Sequence, residues 1–200
     1  LAMELLVATG IVFSLAGMFL MNPITGLLGA EENVFASVKL YSRIILLGAP
    51  VFLLNVGAAF FARNDGRATL AMIGMFTSIV TDIVLNIIFM GPLHMGVAGA
   101  ALSTVLGQLA GVFVIGTHFF SKKNTMKFML CLDKGAFRII RNGFSSALHF
   151  IYQFLIIFLM NHLLASMAGT NGIVVYTVVF NLSTVTLGVF EGISQIGYGY

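Results

Sequence analysis

Six long apolar runs, nearly free of charge and parted by chain breakers, decide what this sequence can fold into. They cover roughly residues 1–21, 38–62, 69–90, 97–120, 143–166 and 172–200. About 20 mainly apolar residues carry a helix across the hydrocarbon of a bilayer, and each run reaches that length. Asn22-Pro23 is expected to end the first, Arg63-Asn64-Asp65-Gly66 the second and Gly91-Pro92 the third. Asn142-Gly143 should open the fifth, and Gly169-Thr170-Asn171-Gly172 should part the last two. A membrane barrel would instead alternate apolar and polar residues in segments of about 10. Charged residues make up 8% of the chain and hydrophobic ones 59%, with a mean hydropathy of +1.04. Globular chains carry about 25% charged residues, so a soluble domain is excluded. The expected fold class is all-α: a polytopic membrane protein with six transmembrane helices in this chain.

The net charge is +3, from ten Lys and Arg against seven Asp and Glu. An excess of cations can signal an anionic partner, but here their placement matters more than their number. Six spans in series put alternate connections on opposite faces of the membrane. Arg63, Arg67, Lys122, Lys123, Lys127, Lys134, Arg138 and Arg141 then share one face, eight of the ten basic residues. Glu31, Glu32, Lys39, Arg43 and His94 belong to the other. The positive-inside rule makes the basic face cytoplasmic. Anionic headgroups are the expected neighbours of the cluster at 122–141, which speaks against a nucleic-acid partner. Residues 126–140 mix Met126, Phe128, Met129, Leu130, Leu132 and Phe137 with charges and read as an interfacial segment between two bundles. Cys131 is the one cysteine, so no intramolecular disulfide and no thiolate metal site is expected. Leu1 opens directly within an apolar run, and the chain is read as a fragment.

A charge within a bilayer costs about 2.5–3.5 kcal/mol even on lenient scales, so each needs a reason. Two acids stand out, Asp82 in the third run and Glu191 in the sixth. Asn86 follows Asp82 by four residues and projects from the same helix face. The turn at 91–95 lets depths be compared. Asp82 lies eight residues before Met90 and Thr104 eight after Gly96, so at 1.5 Å per residue both sit about 12 Å below that turn. Antiparallel neighbours can therefore gather the Asp82 carboxylate, the Asn86 amide and the Thr104 hydroxyl, hard oxygen ligands suited to Na⁺ or to a proton. Asn55, Gln153, Asn161, Asn181 and Gln195 either bond between helices or line a cavity. His149 and His162 fall near run ends and read as structural. Gly99, Ser103, Gly107 and Gly111 form a stripe at intervals of four that lets backbones approach closely. Ser145 and Ser146 lack Asp and His partners at a recognisable spacing, and no Gly-rich loop precedes a Lys, so no bond-cleaving chemistry is expected.

Three motifs in order carry a resemblance: Leu47-Gly48-Ala49-Pro50, then Ala62-Arg63-Asn64-Asp65-Gly66, then Met95-Gly96-Val97-Ala98-Gly99-Ala100-Ala101-Leu102-Ser103-Thr104. Leu27-Leu28-Gly29-Ala30, Tyr41, Asn161, Val175-Tyr176 and Gly192-Ile193-Ser194-Gln195 add to it. Together they resemble the multidrug and toxic compound extrusion (MATE) transporters over nearly the whole chain. The resemblance implies helices three to eight of a twelve-helix, two-lobe transporter. Residues 1–120 would belong to the N-lobe, 121–142 to the cytoplasmic linker and 143–200 to the start of the C-lobe. It further implies an antiporter of the plasma (inner) membrane that exports organic cations or amphipathic drugs in exchange for Na⁺ or H⁺, with no cofactor besides that ion. Asp82, Asn86 and Thr104 would couple the ion, and Tyr41, Asn55, Gln108, Gln153, Asn161, Asn181 and Glu191 would face the substrate cavity. The implied partners are the bilayer, small cationic or amphipathic substrates and the remaining helices of a longer chain. A lipid-linked oligosaccharide flippase of the same fold and a non-transporting membrane scaffold are the alternatives.

The sequence departs from the family pattern in places. Family members with an N-lobe cation site carry the fifth-helix Asn and Asp in the opposite order, and their first-helix acid has no counterpart here. Arg67-Ala68 stands where Pro often follows the Asp-Gly turn, Ser145 where many members carry Pro, and Tyr198-Gly199 where Gln-Pro is usual.

Overall fold

In the computed structural model, residues 2–27, 32–120 and 135–197 are described. Every regular element among them is helical: α1 (Ala2–Leu27), α2 (Glu32–Asn64), α3 (Ala68–Met90), α4 (Gly96–Gly116), a 3₁₀ turn at Thr117–Phe120, and α5 (Gly135–Gly197). Gly169 breaks α5 with non-helical angles, φ 59° and ψ −155°, a conformation glycine adopts without steric cost. Six stretches have the length and composition to cross a membrane: Met3–Met21, Phe35–Asn64, Ala68–Met90, Gly96–Gly116, Phe150–Met167 and Gly172–Phe190. They coincide with the six apolar runs.

Two expected boundaries are corrected. The first helix does not stop at Asn22-Pro23 but runs on to Leu27. Proline inside a helix removes one hydrogen bond, and membrane helices tolerate this where nearby groups satisfy the freed carbonyl. Pro50 likewise lies inside α2. The fifth run does not open at Asn142-Gly143, because the chain is already helical from Gly135; one interior glycine costs only about 1 kcal/mol relative to alanine. The expected linker lies outside the described residues over 121–134.

The turn after α2 forms as its composition suggests. Gly66 adopts φ +72°, Arg67 N–H donates to Ala62 O at 2.8 Å and Gly66 N–H donates to Arg63 O at 3.1 Å. This pair of bonds is the Schellman pattern, which satisfies carbonyls that a helix end leaves open.

The chain separates into two compact units, Leu1–Ala136 and Phe137–Tyr200. Within the first, α2 touches α1, α3 and α4, while α3 and α4 form the most extensive pair. The packing is inverted relative to a soluble protein. Small residues fill the interior, with Ala58, Ala59, Ala62, Ala71 and Ala101 at most 3% exposed, while Phe19 and Phe113 are 84% and 74% exposed. Lipid is as apolar as leucine, so helices in a bilayer associate through close fit between small side chains. The stripe of α4 meets this requirement: Gly99, Ser103, Gly107 and Gly111 are all buried. A Cβ on Gly107 would lie 2.7 Å from Ser78 O and 2.9 Å from the Asp82 Cβ, and one on Gly99 would lie 2.8 Å from the Phe89 Cβ. These glycines let α4 seat against α3, and that contact positions the site.

Candidate coupling site between the third and fourth helices

Asp82 and Thr104 meet across the α3–α4 interface. The Thr104 hydroxyl lies 3.4 Å from Asp82 Oδ1 and 3.0 Å from Ala100 O on its own helix. A hydroxyl carries one proton, so Thr104 either donates to its own backbone or turns toward the carboxylate. Both residues are half-buried. Gly107 makes the approach possible, since any side chain there would strike the Asp82 backbone and Cβ. Counting residues from the turn thus brought the acid and the hydroxyl to one level.

Asn86 is placed differently. It is half-buried beside Ile83, Ile87, Met90 and Gly91 in a shallow depression at the end of α3. Among the described residues it makes no hydrogen bond to Asp82 or Thr104. Helical spacing puts two residues four apart on one face, but only tertiary packing decides whether both reach the same point.

One helical turn below Asp82 and Thr104 lies a second polar layer. Asn55 Nδ2 of α2 donates to Ser78 Oγ of α3 at 3.1 Å and to Gln108 Oε1 of α4 at 2.5 Å. Ser78 Oγ donates in turn to Gly74 O at 3.2 Å. Asn55 and Ser78 are buried at 5% and 3% exposure, and Asn55 Oδ1 has no hydrogen-bond partner. Gly111 leaves room for this layer, because a Cβ there would collide with Ser78 Oγ and come within 3.0 Å of Asn55 Oδ1. For Asn55 and Gln108 the structure realises interhelical bonding. Ser78 does not stand out in the sequence, although its place four residues before Asp82 on the same face was the available signal.

The remaining sequence candidates fall in both units. Tyr41 lines an apolar cleft of about 380 Å³ between α1 and α2, with Phe13, Gly17 and Leu46. In the second unit Gln153 is half-buried and Asn181 exposed, while Asn161 is half-buried with Oδ1 unpartnered. The Glu191 side chain lies outside those described.

A further polar pair was not expected. His118, on the 3₁₀ turn after α4, holds its Nε2 2.6 Å from Asp65 Oδ2 in the α2–α3 turn, with side-chain exposures of 1% and 8%. The same depth count that matched Thr104 to Asp82 also brings His118 near Asp65, since the steps are 14 and 17 residues.

Known proteins provide an independent frame. The MatE family model matches residues 2–88. The multidrug export protein MepA of Staphylococcus saprophyticus is 27% identical over 192 residues, covering 92% of this chain and 42% of that protein. MepA of Staphylococcus aureus is 27% identical over 128 residues, covering 64% of this chain and 28% of that protein. A solved inward-facing structure of a multidrug resistance MATE family transporter superposes with a TM-score of 0.82 at 24% identity, covering 92% of this chain and 43% of that one. A MATE crystal structure in the bent conformation gives 0.77, again at 24% identity, with coverage of 92% and 42%. This chain therefore spans 42% of the length of the first of these relatives. Six apolar spans on a fold shared with these transporters make it a multi-pass integral membrane protein. The family-model match over residues 2–88, the relatives and the superpositions agree: the chain has the fold of the MATE transporters and is similar to them in sequence.

Proposed function

We propose that this chain forms part of a secondary active exporter of organic cations or amphipathic drugs that exchanges them for Na⁺ or H⁺, in the plasma (inner) membrane. The observation that carries the reading is the contact of Asp82 with Thr104 at membrane depth, 3.4 Å apart. The multidrug export relatives and the MATE-type fold support the substrate class.

A carboxylate among apolar helices is costly when charged and alone. Asp82 can be neutralised in two ways, by taking a proton on an Oδ atom or by holding a cation against that atom. The Thr104 hydroxyl suits both, because it can donate to the bare carboxylate or turn its lone pairs toward a cation. Asn86 supplies a further oxygen if α3 rotates slightly toward α4. The Asn55–Ser78–Gln108 layer fixes α2, α3 and α4 one turn below, so the carboxylate does not drift when its charge changes. Drug export follows when the drug and the ion favour different conformations, since a ligand shifts a conformational equilibrium only by its differential affinity for the two states. The two lobes implied by the resemblance would supply the alternating conformations.

The test is ethidium efflux by the full-length protein in proteoliposomes, with Na⁺ and pH gradients imposed separately. Efflux driven by one gradient and lost in Asp82→Asn supports the proposal. Gradient-driven efflux unchanged in Asp82→Asn would remove this site from the mechanism.

A further inference from the structure

Between the Asn55–Ser78–Gln108 layer and the basic end of the bundle, the buried interior of α2, α3 and α4 is apolar. Gln108 and His118 are ten residues apart along α4 and the following 3₁₀ turn, about 15 Å at helical rise. Ala58, Ala59, Ala62, Ala71 and Ile115 occupy this interval, exposed by 3% or less, and form one contiguous core. Ile115 fills the place a side chain on Gly74 would take: a Cβ there would lie 2.8 Å from its Cδ1. An ion moving through this stretch would meet no buried polar side chain among the described residues. At its far end stands the Asp65–His118 pair, 2.6 Å apart and almost fully enclosed.

The pair has a defined chemistry. Nε2 engages the carboxylate, while Nδ1 is buried without a hydrogen-bond partner. A bare ring nitrogen tolerates this better than an N–H, because an orphaned donor costs its full desolvation. With a proton on Nε2 the ring donates to Asp65 Oδ2, 2.6 Å away. This bond fastens the 3₁₀ turn after α4 to the α2–α3 turn, closing the bundle beyond Ile115.

We propose that the Ala58–Ala59–Ala62–Ala71–Ile115 core and the Asp65–His118 clasp act as a plug that denies ions passage between Asp82 and the basic end of the bundle. Apolar constrictions block ions by excluding water, and a narrow one holds only while its helices stay together. Ions would then reach and leave Asp82 solely by the route that the transport cycle opens. Such one-sided access keeps ion flow tied to export. This inference rests on Asp82 being the ion site, and the experiment separates the two.

The full-length protein is reconstituted in proteoliposomes, and ²²Na⁺ uptake and proton entry, the latter by trapped pyranine, are measured without drug. His118→Ala should raise one of these leaks about tenfold over the parent protein, and His118→Gln, which keeps a donor near the Nε2 position, should restore tightness. Ile115→Ala, which widens the core and leaves the clasp intact, should leak as well. If His118→Ala yields no folded protein, the leak through Ile115→Ala decides. Tight vesicles from a folded His118→Ala protein, or from Ile115→Ala where that variant decides, overturn the plug. Adding Asp82→Asn to the leaky variant separates the readings. A leak that falls supports both, while a leak that persists upholds the plug and removes Asp82 as the ion site.

Discussion

The Thr104 hydroxyl stands 3.4 Å from Asp82 Oδ1 while also lying 3.0 Å from Ala100 O of its own helix. One proton serves two acceptors, so Thr104 can release the carboxylate without breaking its helix. A residue in this position modulates the acid without sharing its charge.

This ordering leads to graded effects in the full-length protein. Asp82→Asn should abolish ion-driven efflux while expression stays intact, because the group that binds the ion is gone. Asn86→Asp in that background should restore part of the activity by returning a carboxylate to the same helix, one turn away. Thr104→Ala should weaken ion dependence less, since it removes one neutral ligand. Efflux assays against imposed Na⁺ and pH gradients rank the three variants, and a Thr104→Ala defect larger than that of Asp82→Asn contradicts the assignment.

Replacing Gly107 with leucine should damage the α3–α4 seat, because even a Cβ there lies 2.7 Å from the Ser78 carbonyl oxygen. Overpacking typically costs about 1–3 kcal/mol, which corresponds to a melting temperature lower by about 2–12 °C for a chain of this size. Thermal unfolding in detergent measures it. An unchanged midpoint and yield would mean that α4 does not pack on α3 through this face.

The Asn55 bridge predicts coupling between sites on different helices. Asn55→Leu leaves the Ser78 hydroxyl and the Gln108 amide without their shared donor, at a cost of about 1–3 kcal/mol. Adding Gln108→Leu should cost less than the sum of the two single changes, with an interaction energy of about 0.5–3 kcal/mol in a double-mutant cycle. Strict additivity would show that the bond at 2.5 Å contributes nothing.

Orientation can be checked by labelling. With Cys131→Ser as background, a cysteine at Arg63 should react with an impermeant maleimide only from the cytoplasmic side, and one at His94 only from outside. Equal labelling from one side would break the assignment made from the distribution of Lys and Arg.

Much of the architecture was legible along the chain, for a physical reason. In a bilayer every backbone polar group must be satisfied within its own segment, so length and apolarity alone specify helices, and the six runs reappear as six spans. The turn at Gly66 was equally local, since a positive φ of 72° selects glycine. Proline was a poorer guide: Asn22-Pro23 did not end α1, because one lost hydrogen bond is small beside the cost of leaving a helix in lipid. The meeting of Asp82 with Thr104 was also within reach, because a tight turn between antiparallel helices fixes depth by counting. Rotation about the helix axis cannot be counted. It left Asn86 facing a depression at the end of α3, brought Ser78 rather than a predicted ligand to Asn55, and set His118 against Asp65. Those outcomes depend on which small residues let which backbones close, as Gly74, Gly107 and Gly111 do here. The sequence by itself determined the spans, three of their five breaks and the matching depths of Asp82 and Thr104, whereas only the tertiary packing decided which polar groups touch.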